Sequence, residues 1–467
     1  MFVKQFVDED LGNSSYLIGS EATGQAALID PQRDVDRYLQ VADGLGLRLT
    51  YALDTHLHND FISGTRELLS QRGLNVGASA EARLEFDHQP LAASATLSLG
   101  DVTIGVLATP GHTPEHISFT ATPIGHSTPT AIFTGGALIV GGAARTDLLG
   151  PDHTERLSRQ LYHTLHDQLL RLPDDVLVYP THGAGSFCSA PASAERATTI
   201  GRERQWNNLI QAASEEEFLV QALRNLPDYP TYFRYMRAIN QRGPRVLNGL
   251  PTLRALSPEM VQQHMAQSVA VIDTRSAHEY MTEHILGSYG FPLGAPLITW
   301  AGWVVPFGTP IILVADDPNE REAAVRQLIR IGYDDLCGYL DGGVAAWAAA
   351  GLPTRQVPMI SAEVLRLLME RGTAPVILDV RHHDEWCAGH LPRAIHHDAG
   401  QLPLSQPSVS RDERIVVHCG HADRSTVAIS VLERWGYRDL MLLKGGYSSW
   451  QAADYPIVRV DALAHQG

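Results

Sequence analysis

The sequence predicts a three-domain α/β protein, and three observations predict it. The chain has 467 residues and 44% hydrophobic side chains, more than one core of ordinary size organises, so roughly two to four domains are expected. Its carboxy-terminal half repeats itself. Gly332-Tyr333-Asp334-Asp335-Leu336 leads to Leu340-Asp341-Gly342-Gly343 and Trp347, and Gly436-Tyr437-Arg438-Asp439-Leu440 leads to Leu443-Lys444-Gly445-Gly446 and Trp450. A period of about a hundred residues marks tandem domains, because solenoid repeats are much shorter. Within each copy, short apolar runs alternate with helical stretches, the pattern of a small parallel sheet.

Taken in order, residues 1–250 form the first expected domain, with strands at 26–29, 103–107, 131–133 and 176–179. Residues 198–256 read as largely helical and polar, a cap and connector broken at Pro227-Asp228-Tyr229-Pro230. The first repeat is expected over 257–355, with strands at 269–273 and 310–314. The second is expected over 360–460, with strands at 376–380 and 414–418 and a helix at 425–435 whose Val427, Val431 and Trp435 recur every four residues. Pro358 suits the linker between them.

Composition excludes several classes of function. A formal net charge of −16 argues against nucleic acid or an anionic membrane, since phosphate binding needs clustered Lys and Arg. No apolar run reaches the length of a membrane span, and the start Met1-Phe2-Val3-Lys4-Gln5-Phe6 lacks an apolar signal core, so a cytoplasmic location is expected. Small molecules are therefore the expected partners, and the composition is compatible with a homo-oligomer. The four cysteines, Cys188, Cys337, Cys387 and Cys419, form no C-x-x-C pair. A disulfide framework or zinc ribbon is not indicated, and each cysteine stands singly.

Two motifs carry chemistry. In Thr55-His56-Leu57-His58-Asn59-Asp60, two histidines and a carboxylate follow an apolar run and can converge on one cation. His112, in Thr109-Pro110-Gly111-His112, and His182, in Thr181-His182-Gly183, occupy similar settings beside Gly or Pro turns. The second motif is Cys419-Gly420-His421-Ala422-Asp423-Arg424-Ser425, between the apolar run 414–418 and the expected helix. Strand, tight loop and helix start make an anion cradle, where inward amides and the positive helix end favour thiolate and persulfide.

The first 250 residues resemble the metallo-β-lactamase superfamily, specifically its persulfide dioxygenases fused to rhodanese domains, in Thr55 to Gly64, Thr109 to Phe119 and Thr181 to Ser186. The carboxy-terminal half resembles two rhodanese domains, in Asp379-Val380-Arg381, Glu385-Trp386, Gly389-His390-Leu391-Pro392, the Cys419 loop and Gly445-Gly446 with Trp450. The resemblance implies an αββα sandwich followed by two doubly wound rhodanese-like α/β domains. It also implies one Fe(II) that converts a low-molecular-weight persulfide, oxygen and water into thiol and sulfite. Its ligands would be His56, His112 and an aspartate in F-T-G-D, with Asp60 and His182 orienting them. Here the motif reads Phe133-Thr134-Gly135-Gly136, so that carboxylate is missing. Either His56, His112 and water hold a weakened metal, with His58 as a candidate third ligand in a three-histidine set that suits zinc as readily as iron, or the domain has lost its metal and persists as scaffold. Phe61 likewise replaces the last histidine of H-x-H-x-D-H, which with Gly136 counts against a two-zinc thioester hydrolase of the glyoxalase II type.

For the rhodanese part, the resemblance makes Cys419 the sulfur carrier exchanging with thiosulfate or sulfite. Arg424 would orient the donor, with Gly420, His421, Ala422, Asp423 and Ser425 lining its site. Ala422 stands where glycine is usual, and acidic Asp423 disfavours anionic donors. Aligning the repeats puts Ala315 opposite Cys419, so residues 257–355 are expected to be an inactive copy.

Overall fold

Strands that are apolar at every position need cover on both faces, because neighbouring side chains point to opposite sides. Along Gln25–Ile29, Ala27 and Ile29 join one apolar cluster with Tyr16, Leu53 and Phe133. Ala26 and Leu28 join another with Val35, Tyr38 and Leu68. The first cluster lies between two sheets and the second under helices Asp36–Gly44 and Thr65–Arg72. The computed structural model that shows this describes residues 1–189, 194–224, 226–293 and 297–459; residue 460, the end of the third expected domain, lies outside the described residues.

The chain divides into two units, Met1–Leu250 with Ile329–Gly332, and Pro251–Leu328 with Tyr333–Gly467. In the first unit one six-stranded sheet runs in the order Phe2–Asp8, Asn13–Gly19, Gln25–Ile29, Arg48–Leu53, Asn75–Ser79, Gln89–Leu91. The other runs Thr198–Thr199, Leu177–Pro180, Ala131–Gly135, Ile117–Pro123, Val102–Ala108, Thr96–Leu99. Helix Pro151–His163 covers the second sheet. It starts at Pro151 directly after Gly150, where the missing N–H costs nothing, and its Leu161 packs with Ile132 and Val178. The result is the expected αββα sandwich.

The connector is less helical than expected. Three helices, Ile200–Trp206, Glu215–Ala222 and Phe233–Arg242, alternate with irregular chain. The last does more than connect: Asn240 donates to the carbonyls of His58 and Phe61 at 2.9 Å each and accepts from the Ser63 N–H. Tyr232 donates to the Asp60 carbonyl at 2.7 Å.

The second unit holds two five-stranded parallel sheets of identical connectivity. One is ordered Ala255–Leu256, Leu336–Leu340, Ile311–Val314, Ala270–Asp273, Tyr289–Gly290, and the other Met359–Ile360, Leu440–Leu443, Ile415–His418, Val376–Asp379, Ile395–His396. Asp273 pairs with Val314 as Asp379 pairs with His418, so Ala315 and Cys419 leave equivalent strand ends. Helix Asp423–Arg434 starts two residues before the expected 425, with acidic Asp423 in its first turn, where negative charge opposes the helix dipole favourably. The far end of this helix is held by the first repeat. Glu433 accepts from His284 at 2.8 Å and Arg355 at 3.2 Å, and Arg434 donates to the Gly287 carbonyl at 2.6 Å. No helix among the described residues is long and apolar enough to cross a membrane.

Candidate metal centre and sulfur-transfer loop

His56, His112, Gly136 and His182 all follow carboxy-terminal strand ends, those of Arg48–Leu53, Val102–Ala108, Ala131–Gly135 and Leu177–Pro180. The sandwich therefore gathers four distant chain segments at one rim. His56, His112 and His182 are buried and offer nitrogens within 4.8 Å of one another. Two further groupings meet the same distance, Asp30 with His56 and His58, and His58 with Asp60 and His182. Potential metal ligands thus form one continuous buried cluster.

The sequence pointed to His58 as third donor beside His56 and His112, whereas the structure turns His58 toward carboxylates. Its Nε2 lies 3.3 Å from Asp30 and 3.8 Å from Asp54. Burial opposes a charged ring, but Asp30 and then Asp54 outweigh it and push His58 up to about 10. Phe61, at the position of the lost histidine, stacks on His58 with centroids 4.0 Å apart. Asp60 accepts from Asn13 at 2.8 Å and lies 3.4 Å from His182 Nδ1.

Gly136 is enclosed as well as lacking a carboxylate. A Cβ there would sit 2.5 Å from His112 Cδ2 and 2.9 Å from Ala144 Cβ. Its N–H donates to His116 Nε2 at 3.1 Å, while His116 Nδ1 meets Thr109 at 2.9 Å. His116 is therefore satisfied on both nitrogens. Asn13, Asp30 and Asp54 lie outside the histidine motifs of the sequence, and His116 lies inside the one that holds His112.

In the second repeat, Cys419 is 2% exposed. The Cys419 and Gly420 carbonyls accept from the N–H groups of Tyr447 and Ser448 at 2.7 and 3.0 Å. In a trans peptide C=O and N–H point opposite ways, so these bonds turn the Gly420 and His421 amides to the other side of the loop. Gly446 permits this approach: its φ is +54°, and a Cβ would lie 2.5, 2.6 and 2.8 Å from the carbonyl oxygens of Cys419, His421 and Gly420. Ala422 serves as helix N-cap without a side-chain bond. The Ser425 hydroxyl is buried with no protein hydrogen-bond partner, an arrangement suited to a bound sulfur anion.

Arg424 donates both guanidinium nitrogens to Glu385 at 2.5 and 2.8 Å. Glu385 also accepts from the His382 N–H, closing a capping box. That box was the signal available for finding it. Burial opposes ionisation of Glu385, but Arg424 outweighs it and brings the carboxyl down to about 2 from 4.5. A depressed carboxyl stabilises fully above its unfolded value and loses that contribution as pH falls through the folded value. Glu385→Gln should therefore flatten the loss of stability of the second unit between about pH 4.5 and 2, read by thermal unfolding at stepped pH. An unchanged acid limb would show that the pair contributes nothing there.

In the first repeat Arg275 and Asp273 reproduce the Arg381–Asp379 pair, both with 2.6 Å shortest contacts. Ala315 stands at the strand end equivalent to that of Cys419, and Arg321 donates to the Ala315 and Asp316 carbonyls at 2.8 and 2.9 Å.

Sheet order and site geometry thus define a metallo-β-lactamase-type domain followed by two rhodanese-type domains. Residues 8–182 match the metallo-beta-lactamase superfamily, and residues 257–350 and 361–453 each match the rhodanese-like domain. Human "Persulfide dioxygenase ETHE1, mitochondrial" is 32% identical over 219 residues, covering 46% of this chain and 77% of that protein. The hydroxyacylglutathione hydrolase of Polaromonas sp. is 29% identical over 260 residues, covering 49% and 95%. A crystal structure of a metallo-beta-lactamase from Staphylococcus aureus subsp. aureus COL superposes with a TM-score of 0.66 at 32% identity, covering 73% of this chain and 98% of that one. The chain belongs to the metallo-β-lactamase superfamily, as a homologue of the ETHE1 persulfide dioxygenases that carries two rhodanese-like domains.

Proposed function

We propose that the protein works in sulfur metabolism, with Cys419 as carrier of sulfane sulfur and the amino-terminal domain as a metal-dependent site for a low-molecular-weight persulfide. The observation that carries this reading is the Cys419 loop, with inward amides, a helix start and Arg424 at its mouth, in one chain with a buried histidine cluster.

In the transfer step the Cys419 thiolate attacks the sulfane sulfur of thiosulfate. The S–S bond breaks, sulfite leaves with its electron pair, and a Cys419 persulfide remains. A low-molecular-weight thiolate then takes the outer sulfur and regenerates the Cys419 thiolate. Run backwards from sulfite, the same steps make thiosulfate, and reactant concentrations set the direction. Loop amides and the helix end stabilise both anionic forms of Cys419. Arg424, braced by Glu385, orients the anionic donor.

The other half of the reading is oxidation of persulfide to sulfite at Fe(II). Iron of this kind suits two histidines and one carboxylate; Gly136 leaves the carboxylate position beside His56 and His112 empty, and the nearby carboxylates Asp30 and Asp60 lie against His58 and His182 instead, so the ligand set centred on His56 and His112 does not fit it. Oxygen chemistry here should be slow or absent, which favours a sulfurtransferase on a domain whose dioxygenase capacity has lapsed. The test is oxygen uptake by Fe(II)-treated protein given glutathione persulfide, beside sulfur transfer by the same preparation. Transfer with little uptake is expected. Rapid uptake with full iron occupancy would overturn the impaired reading, and absence of transfer would overturn the assignment of Cys419.

A further inference from the structure

We infer that His182 is the third metal donor, that the amino-terminal site is a three-imidazole site of His56, His112 and His182, and that it retains Zn(II) in preference to Fe(II). The inference rests on the reading that this domain binds a metal, and it assigns the ligands differently from that family's histidine and aspartate set.

Thr55 Oγ1 donates to Asp30 at 2.8 Å, and an ionised carboxylate has no proton to return. His56 Nδ1, 2.9 Å from the same oxygen, must therefore donate to it, which leaves the lone pair on Nε2. His112 Nδ1 lies 2.6 Å from the Arg145 carbonyl, which can only accept. Its Nε2 is consequently a bare acceptor, buried and without a protein partner. Asn13 donates its amide N–H to Asp60, which fixes its orientation, and so presents Oδ1 to His182 Nδ1 at 3.0 Å. That puts the third lone pair on His182 Nε2. Such outer partners are how proteins set the tautomer and aim of metal-binding histidines.

Three lone pairs facing one another in a buried space repel unless a cation lies among them. His56 Nε2 and His182 Nε2 are 3.3 Å apart. Two nitrogens at about 2.0–2.1 Å from a tetrahedral ion are separated by about 3.3 Å. Two nearby imidazoles face other groups. His58 faces Asp30 and Asp54, and His116 Nε2 accepts from the Gly136 N–H. Three neutral imidazoles with one open position are a zinc donor set, and zinc binds nitrogen sites more tightly than ferrous iron.

The full chain, stripped with a chelator, would be titrated with Zn(II), Co(II) and Fe(II) separately and then in competition. Bound metal is read by elemental analysis and Co(II) geometry by its visible spectrum. One Zn(II) per chain, displacement of Fe(II) by Zn(II), and an intense tetrahedral Co(II) band are expected. His182→Ala should weaken Zn(II) binding by about 1,000-fold or more, and His58→Gln by no more than about 10-fold. His182→Gln, which still has a donor for Asn13, repeats the test if the alanine variant misfolds. Sulfur transfer at Cys419 checks that each preparation is intact. Absence of binding in the unmodified protein would overturn the metal reading itself. Tight binding that survives both His182 changes would overturn this ligand assignment alone, and retention of Fe(II) against Zn(II) would overturn the selectivity.

Discussion

Cys419→Ala is expected to lower sulfur transfer from thiosulfate to cyanide by at least about 1,000-fold, to the rate without protein, because the step needs a nucleophile that holds sulfur covalently. The equivalent strand end in the first repeat carries Ala315. Burial pushes the thiols of Cys188 and Cys337 up, so neither offers ready thiolate. Gly446→Ala should be nearly as damaging while leaving Cys419 in place. Its Cβ would enter within 2.8 Å of three loop carbonyls, at a φ of +54° that side chains rarely adopt. The carbonyls must then move, and the amides move with them. Thiosulfate cyanide transfer checks both variants, with metal content of the amino-terminal unit as the control. Transfer surviving Cys419→Ala would place the carrier elsewhere, and normal transfer in Gly446→Ala would mean that the loop tolerates rearrangement.

These two residues differ in how they could be read from the sequence. Cys419 stands out because strand, loop and helix are contiguous, so their geometry follows from local order. The double glycine was visible as a repeat, but its reason lies in the distant Cys419 loop and needs the fold. The parallel sheets were legible for the same local cause: expected strands at 269–273, 310–314 and 376–380 fall within a residue of Ala270–Asp273, Ile311–Val314 and Val376–Asp379. Helix Asp423–Arg434 starts earlier than its apolar period suggests because dipole and loop geometry, rather than periodicity, set its first turn.

The metal cluster was legible as a set and illegible as an arrangement. His56, His58, His112 and His182 were each marked by a strand end and a turn. Which of them share a centre depends on Asp30, Asp54, Asn13 and the Arg145 carbonyl, which lie up to 169 positions away along the chain, as Asn13 does from His182. A buried carboxylate pair beside one ring and a neutral acceptor beside another decide which way each histidine presents its nitrogens. Spacing within a motif carries none of that information.

Gly136→Asp, which would rebuild the F-T-G-D motif, is expected to weaken the amino-terminal unit rather than restore iron. The new Cβ meets His112 Cδ2 at 2.5 Å and Ala144 Cβ at 2.9 Å, and overpacking of this kind costs about 1–3 kcal/mol. Relief requires the His112 ring to shift, yet its Nδ1 is tied to the Arg145 carbonyl at 2.6 Å. The Gly136 N–H is itself pinned to His116, so the backbone is not free to carry the carboxylate outward. Gly136→Ala adds the same Cβ without the charge, and should show the same fall in the unfolding temperature of this unit. If the aspartate variant instead unfolds as the parent does, holds one Fe(II) and takes up oxygen with persulfide, His112 has room to move and the glycine is a simple loss of a ligand. If both variants are destabilised and neither gains iron, the pocket has closed around glycine, and His112 and Ala144 would have to change with it before an aspartate could serve.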